Sequence, residues 1–436
     1  MRASGPACLQ KTYHTWFHTA NVVPAGSQKP DYGGYCLSNV PSTVLSLLGV
    51  NSGRTTLPKD ALGGTETDGV ENVVLMLFDG LGYRELMRQS GGGFFGSLAR
   101  KGSVRPITTV FPSTTAAALT TVSTGLTPQE HGLPEWFVYM DELDEVVVTL
   151  PFTKVGDSGR DTLVGQIEPR FLFDGPTIFE RLKKERVRTL SLTSRSLVRT
   201  AYSKVSHEGS EALPYASASD LAVSLRRRLE RARGPSLFYV YWAYVDTIEH
   251  IYGPNTDESE VEASLISHAF KEGLLSRLDR KTAKKTVVIL TADHGQINVV
   301  PEKTLYMNGF RKLASFLERG PTGKVIPPWG SARDAYLRVR EDKLDEAKNY
   351  LESKLEGTAS VMRTEDAIDE GLFGLNKPSR KFRRRVGNLM VLPCAKKTVW
   401  YRYRKGDSLD LKEHHGGLSK DEMTIPLAAA RLSDIQ

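Results

Sequence analysis

The chain has 436 residues, 40% hydrophobic and 25% charged, with a formal charge of +7, which suits one large α/β domain with an inserted cap, or two domains, rather than a disordered chain. No apolar run approaches the roughly 20 residues of a membrane helix, and residues 1–11 lack the apolar stretch of a secretory signal. Three widely spaced cysteines, Cys8, Cys36 and Cys394, make neither a disulfide framework nor a cysteine zinc knuckle, so the expected setting is cytoplasmic and reducing, with no membrane partner.

Residues 1–66 are rich in Gly, Pro, Ser, Thr and Asn, and only Val40 to Val50 has a helical pattern. They are expected to form an N-terminal arm, partly disordered. The main domain should then span 67–436. Its first strand is NVVLMLFDG (72–80), a continuous apolar run closing on Asp79 and Gly80, as a buried parallel strand would. The same pattern recurs in TLSLTS (189–194), SLFYVYWAYVD (236–246) and TVVILTADHG (286–295), with helical segments at 177–185, 217–233 and 258–278. The alternation predicts an α/β fold: a doubly wound, mostly parallel sheet with helices on both faces.

Smaller α+β cap insertions are expected around 136–175 and 300–410. The second contains AYLRVR (335–340), a helix at 342–355, NLMVLP (388–393) and TVWYRY (398–403). Basic residues fall in short runs at 181–188, 226–233 and 377–385. In the second run Leu221, Leu225 and Leu229 recur every four residues, so its arginines occupy the solvated face of an amphipathic helix. That pattern favours a field attracting a small anionic substrate over a nucleic-acid surface.

Chemistry concentrates in three fragments, Asp246-x-x-x-His250, Asp293-His294-Gly295 and His414-His415-Gly416-Gly417, joined by Asp79 and by Pro112-Ser113-Thr114-Thr115. Carboxylate and imidazole are zinc-type ligands. So many of them, with a hydroxyl, point to two metals of the kind used for in-line displacement at phosphorus. Asp79, Asp246, Asp293 and His294 all fall at the carboxyl ends of predicted strands, the edge where open α/β sheets bind ligands. Asp246 and His250 would share one face of a helical turn. His415 is favoured over His414 because it directly precedes the glycines. Thr115 sits where a strand-like piece gives way to an Ala-rich helix, so its hydroxyl would lie beside free backbone N–H groups that welcome a phosphoryl group. Ser113 or Thr114 would serve there as an N-cap. His131 is read as a structural histidine in the turn TPQEHG, and His14, His18, His207 and His268 have no identifiable partner.

Taken in order, NVVLMLFDGLG (72–82), FPSTTAAALTTVSTGLTPQEHGL (111–133), YVDTIEHIYGP (244–254), TADHGQ (291–296) and HGGLSKDEMTIPL (415–427) resemble the alkaline phosphatase superfamily. Within it they most resemble the type I phosphodiesterase/nucleotide pyrophosphatase family. The resemblance covers about 70–436. It implies one divalent metal held by Asp246, His250 and His415, and a second held by Asp79, Asp293, His294 and the nucleophile. Three imidazoles favour zinc over manganese. The family's spacing to a Thr-Gly pair, counted from Thr124, implies Thr115 as nucleophile, with Thr114 the alternative register. It also implies a phosphothreonyl intermediate formed and hydrolysed with two inversions. Two positions depart from the family: Trp136 stands where animal members place a phosphate-holding asparagine, and Asn388 stands for an aspartate.

The leading expectation is a two-metal hydrolase of phosphoric diesters or pyrophosphates. The same site could instead serve a phosphomonoester, a phosphonate or a phosphosugar mutase reaction. A sulfatase is disfavoured because no cysteine lies in the nucleophile region. A non-catalytic nucleic-acid-binding relative is the reading from another class.

Overall fold

The protein is described from a computed structural model covering residues 23, 24 and 26–436. Asn72–Phe78 lies at the centre of a seven-stranded sheet. The spatial order is Ser103–Thr108, Thr424–Arg431, Thr286–Ala292, Asn72–Phe78, Ser236–Trp242, Arg188–Ser194 and Glu211–Tyr215. Every residue of the three inner strands starting at 72, 236 and 286 is buried, which is why they read as unbroken apolar runs. Six strands are parallel; Thr424–Arg431 alone runs antiparallel to its two neighbours.

Helices cover both faces. On one, Phe78 packs edge-on against Phe95 and Phe270, with ring centres 5.6 and 6.1 Å away. On the other, Tyr239, in register with Leu75, packs against Phe179 at 5.7 Å. Residues 75 and 78 differ by an odd number of positions, so they point to opposite faces.

Register places the site. Phe78 pairs with both Trp242 and Ala292. Three strand ends therefore stop in one row, and whatever follows each of them shares a single edge. The 236–246 stretch is strand only to Trp242; Tyr244–Tyr252 is already helix. Likewise 286–295 is strand to Ala292. The 258–278 segment is an α-helix over Asp257–Phe270 that relaxes into a π turn at Lys271–Leu275.

The two stretches expected to cap the domain contribute to one second sheet. Its order is Ala359–Arg363, Leu389–Pro393, Ala335–Leu337, Trp329–Gly330, Phe137–Met140, Glu145–Val148 and Thr153–Lys154, with every pairing antiparallel. The join is Gly330 opposite Phe137. Of TVWYRY only Val399–Trp400 is strand. Asn388 now has a physical role: its Oδ1 accepts from Val339 N at 2.8 Å and its Nδ2 donates to Val339 O at 2.7 Å. An aspartate could accept but not donate there.

The described part of the N-terminal arm packs on the domain. Leu37, Val40 and Val44 are buried, and the Tyr32 hydroxyl donates to Leu372 O at 3.0 Å. The tail expected to be disordered, with Cys8, His14 and His18, lies outside the described residues. No helix among those residues is long and apolar enough to cross a membrane. The basic runs are partly consumed internally. Arg226 bonds Gly273 O and Glu230, and buried Arg385 donates to the carbonyls of Gly132, Leu172 and Phe171.

Candidate metal centre

Asp79 follows the central strand, and its N–H donates to Trp242 O at 2.8 Å. Asp293 and His294 follow the next strand. Gly80 lies between them at φ +75°, and a Cβ there would meet Gln296 Nε2 at 2.4 Å and Asp246 Cα at 3.0 Å, so only glycine fits. Asp246 sits in the first turn of Tyr244–Tyr252 with His250 one turn later, as their spacing predicts. His415 arrives on a loop fixed by antiparallel pairing of Ile297 with His414 and Asn298 with Glu413. Thr115 is the first residue of the Thr115–Thr124 helix.

These elements bring all seven expected site residues to one place. Ligand atoms of Asp246, His250 and His415 lie within 4.8 Å of one another, as do those of Asp79, Asp246 and His294. Asp246 thus belongs to both groups, where the resemblance assigned it to one. Asp293 Oδ2 lies 3.4 Å from His294 Nε2, and Thr115 Oγ1 lies 3.1 Å from that same nitrogen. The rings of His294 and His415 stack at 3.5 Å between centres.

The donor set fits cations. His294 Nδ1 faces Gly295 O at 3.1 Å and His415 Nδ1 faces Ser113 O at 3.0 Å. His250 Nδ1 lies 2.8 Å from Glu413 Oε2, though too poorly aligned for a good hydrogen bond. With each Nδ1 turned to an oxygen, each Nε2 turns inward, the orientation seen in metal-bound histidines. Those nitrogens then meet carboxylate oxygens: Asp79 Oδ1 at 3.3 Å from His294 and Asp246 Oδ2 at 3.3 Å from His250. Lone pairs facing lone pairs need a proton or a metal between them. Asp79 Oδ1 and Asp293 Oδ2 are moreover buried without any hydrogen-bond partner among the described residues.

Protons take the place of metal in the metal-free protein. Burial opposes charge on His294, but Asp293 and Asp79 outweigh it and lift its pKa to about 10. Burial raises Asp246 to about 7, despite the opposing charge of His250. His294 is thus raised above its unfolded value of about 6.5, so its contribution is complete below that pH and lost as pH rises through about 10. Asp246 contributes in the same sense, its share lost from about pH 4 upward through about 7. Buried His131, His207, His414 and His415, all lowered by burial, act in the opposite sense up to about pH 7, so metal-free protein should lose unfolding free energy between about pH 7.5 and 9.5 in denaturant titrations, while metal-loaded protein resists that loss. A metal-free protein that gained stability over this interval would contradict the assignment.

Several contributors escaped the sequence reading. Glu413 is wholly buried behind His250; its place next to the His-His pair was the available signal. The Tyr241 hydroxyl donates to Asp79 Oδ2, and Gln296 Nε2 donates to Asp246 Oδ1 at 2.8 Å. Beneath the His415 loop lies a buried carboxyl pair, Glu135 and Asp334. Burial and then the charge of Asp334 raise Glu135 well above the usual range. Ser331 Oγ donates to Asp334 at 2.5 Å, and a Cβ on Gly416, at φ +123°, would strike that same oxygen at 2.6 Å. The loop is anchored further by Glu422, which accepts from Gly417 N at 2.9 Å and pairs with buried Arg333 at 2.9 Å.

The residues next to the expected site residues have the following surroundings. Thr114 occupies the N-cap position, but its hydroxyl makes no cap bond and is buried without a partner among the described residues. Ser113 Oγ instead donates to Gly417 O at 2.7 Å. His414 lies outside both ligand groups, and burial lowers its pKa to about 3. His131 is structural: buried, it accepts from Leu133 N at Nδ1 and meets Thr121 Oγ1 at Nε2. Trp136 lines the cavity in front of Thr115. His207 is packed against Phe179 and Tyr239, and His268 is exposed.

A mostly parallel α/β sheet with carboxylates and imidazoles along one edge defines an alkaline-phosphatase-like hydrolase of phosphoric esters. The chain belongs to the type I phosphodiesterase/nucleotide pyrophosphatase family, whose model matches residues 73–418. Members of this family are metal-dependent. No curated protein matches the chain. Among solved structures it is similar to murine ectonucleotide pyrophosphatase/phosphodiesterase 5, with a TM-score of 0.62 at 17% identity, covering 82% of this chain and 87% of that one. An inactive threonine-to-alanine form of that protein, in complex with AMP, gives 0.61 at 16%, with coverage of 82% and 87%. Phosphonoacetate hydrolase from Sinorhizobium meliloti, in complex with phosphonoformate, gives 0.57 at 17%, with coverage of 83% and 93%.

Proposed function

We propose that the protein cleaves phosphoric diester or pyrophosphate bonds with Thr115 as the nucleophile. The observation that carries this reading is the Thr115 hydroxyl, 3.1 Å from His294 Nε2 at the first residue of a ten-residue helix, beside two ligand groups that share Asp246. Loss of activity on replacing a threonine in the murine neighbour supports it. One ion would be held by Asp246, His250 and His415. Another would be held by Asp79, Asp293, His294 and Thr115, with Asp246 within reach of both ions. Three imidazoles favour zinc. Such ions, when bound, supply Lewis-acid charge to the phosphoryl oxygens and lower the pKa of the threonine hydroxyl.

The chain's own residues do the rest. The free N–H groups of the helix start hold phosphoryl oxygens in front of Thr115. Thr115 Oγ1 attacks phosphorus as the bond to the leaving oxygen breaks on the opposite side, inverting the centre and leaving a phosphothreonine ester. Water then attacks that phosphorus and Thr115 departs, inverting it again. Trp136 contributes bulk and an aromatic face where animal relatives have an asparagine. A panel comparing 4-nitrophenyl phosphate with bis(4-nitrophenyl) phosphate tests the substrate class. The diester should show the larger kcat/KM; a monoester preference of tenfold or more would move the assignment to a phosphomonoesterase.

A further inference from the structure

The cavity in front of Thr115 has a volume of about 1000 Å³ and extends well beyond the space a phosphoryl group needs. Towards solvent it is walled by Trp136, Phe137, Trp400 and Tyr403 of the cap. Inward it follows the Thr115–Thr124 helix, where Leu119 and Ser123 line it one and two turns beyond Thr115. Eight helical residues carry it about 12 Å from the nucleophile.

The chemistry of that inner arm is unlike its mouth. Its walls are Ser123, Thr193, Ser203, Ser206, His207 and Tyr239. None of these is ionised at neutral pH: burial lowers His207 to about 4, so it stands there as a neutral imidazole. Thr193 Oγ1 is buried with no hydrogen-bond partner among the described residues. Among the described residues, no partner is found either for the hydroxyls of Ser123 and Tyr239 or for the His207 ring nitrogens, although the three residues line the same arm. Ser203 and Ser206 are already bonded, to Thr200 Oγ1 and to Ser203 O, which leaves buried Thr193 Oγ1 and the cavity-lining groups of Ser123, Tyr239 and His207 to meet a ligand.

We propose that this inner arm is the subsite for an uncharged, hydroxyl-bearing group esterified to the phosphate, a sugar or polyol. The proposal rests on the phosphodiester reading of the metal centre. A sugar hydroxyl both donates and accepts, which matches a wall of serine, threonine, tyrosine and neutral imidazole. An acyl chain would strand those hydroxyls against hydrocarbon, although Leu119, Leu150, Val155, Leu197, Leu409 and Leu411 also line the cavity as a whole. A second anionic group would find no cation within the arm among the described residues, since Arg160, the arginine of the cavity wall, is exposed to solvent.

Three diesters sharing the 4-nitrophenolate leaving group test this, with methyl, thymidin-5′-yl and galactos-6-yl as the retained groups. The galactosyl diester should exceed the methyl diester in kcat/KM by about tenfold, the effect of two or so added neutral hydrogen bonds. Tyr239→Phe, which removes one oxygen from a packed ring, should cut the galactosyl-to-methyl ratio about fivefold. Ser123→Leu, which fills the arm, should abolish the preference. Galactose 6-phosphate should likewise bind the wild type more tightly than methyl phosphate does, and lose that margin in both variants. A galactosyl diester no better than the methyl one overturns the proposal, as does a thymidyl diester that outruns it. So does a loss in either variant that is equal for all three substrates. Failure to turn over the methyl diester would instead overturn the phosphohydrolase reading, and this one with it.

Discussion

Thr115→Ala should lower kcat on a diester by a factor on the order of 10⁴ to 10⁶, the scale on which loss of a nucleophile is felt when the rest of the site stays intact. The fold should survive. Alanine is a better helix former than threonine, the following residues Ala116, Ala117 and Ala118 already pack as alanine at that helix start, and among the described residues the hydroxyl bonds only His294. Metal should remain bound at Asp246, His250 and His415, a ligand group complete without Thr115. The check is steady-state kinetics together with elemental analysis of the purified variant. A variant retaining more than a tenth of wild-type activity would remove Thr115 from the chemistry.

Asp246→Asn is expected to be as damaging for a different reason. Asp246 is the one residue common to both groups, with one oxygen 3.3 Å from His250 and the other 3.8 Å from His415. Replacing a carboxylate oxygen with an amide nitrogen takes a negative charge and a ligand from both positions at once. Where the amide nitrogen takes the place of Oδ1, it also faces the Gln296 Nε2 donor. Metal content should fall towards zero and kcat by about 10³-fold or more. A chelator should bring the wild type to the same level, with activity restored by added zinc. An Asp246→Asn protein that kept two ions per chain would refute the shared-ligand geometry.

The central sheet and most of the site were legible because both depend on local signals. An inner parallel strand is apolar on both faces, so Asn72–Phe78, Ser236–Trp242 and Thr286–Ala292 announce themselves as runs. The polar residue that ends such a run falls on the binding edge whatever the strand order. The i, i+4 spacing of Asp246 and His250 likewise fixes their common face before any tertiary contact forms. Strand ends were less legible: Ala243 adopts a helical backbone within an apolar stretch, and nothing in Trp242-Ala243-Tyr244 marks the change.

The antiparallel Thr424–Arg431 strand and the edge strand Glu211–Tyr215 escaped because their sequences are short, alanine-rich or partly exposed. The cap was foreseen only as two insertions. Its sheet depends on Gly330 meeting Phe137 across 193 positions of sequence, a pairing that no local pattern encodes. The same holds for Glu135 and Asp334, each unremarkable alone and informative only once their carboxyls meet. Glu413 and Tyr241 were missed for a related reason: residues that orient ligands are chosen by position behind them, not by residue type.

The stereochemical course at phosphorus tests the account most directly. With a diester made chiral at phosphorus by sulfur and oxygen isotopes, attack by Thr115 followed by attack of water predicts net retention of configuration. Net inversion would show a single displacement by water, and would contradict a covalent role for Thr115.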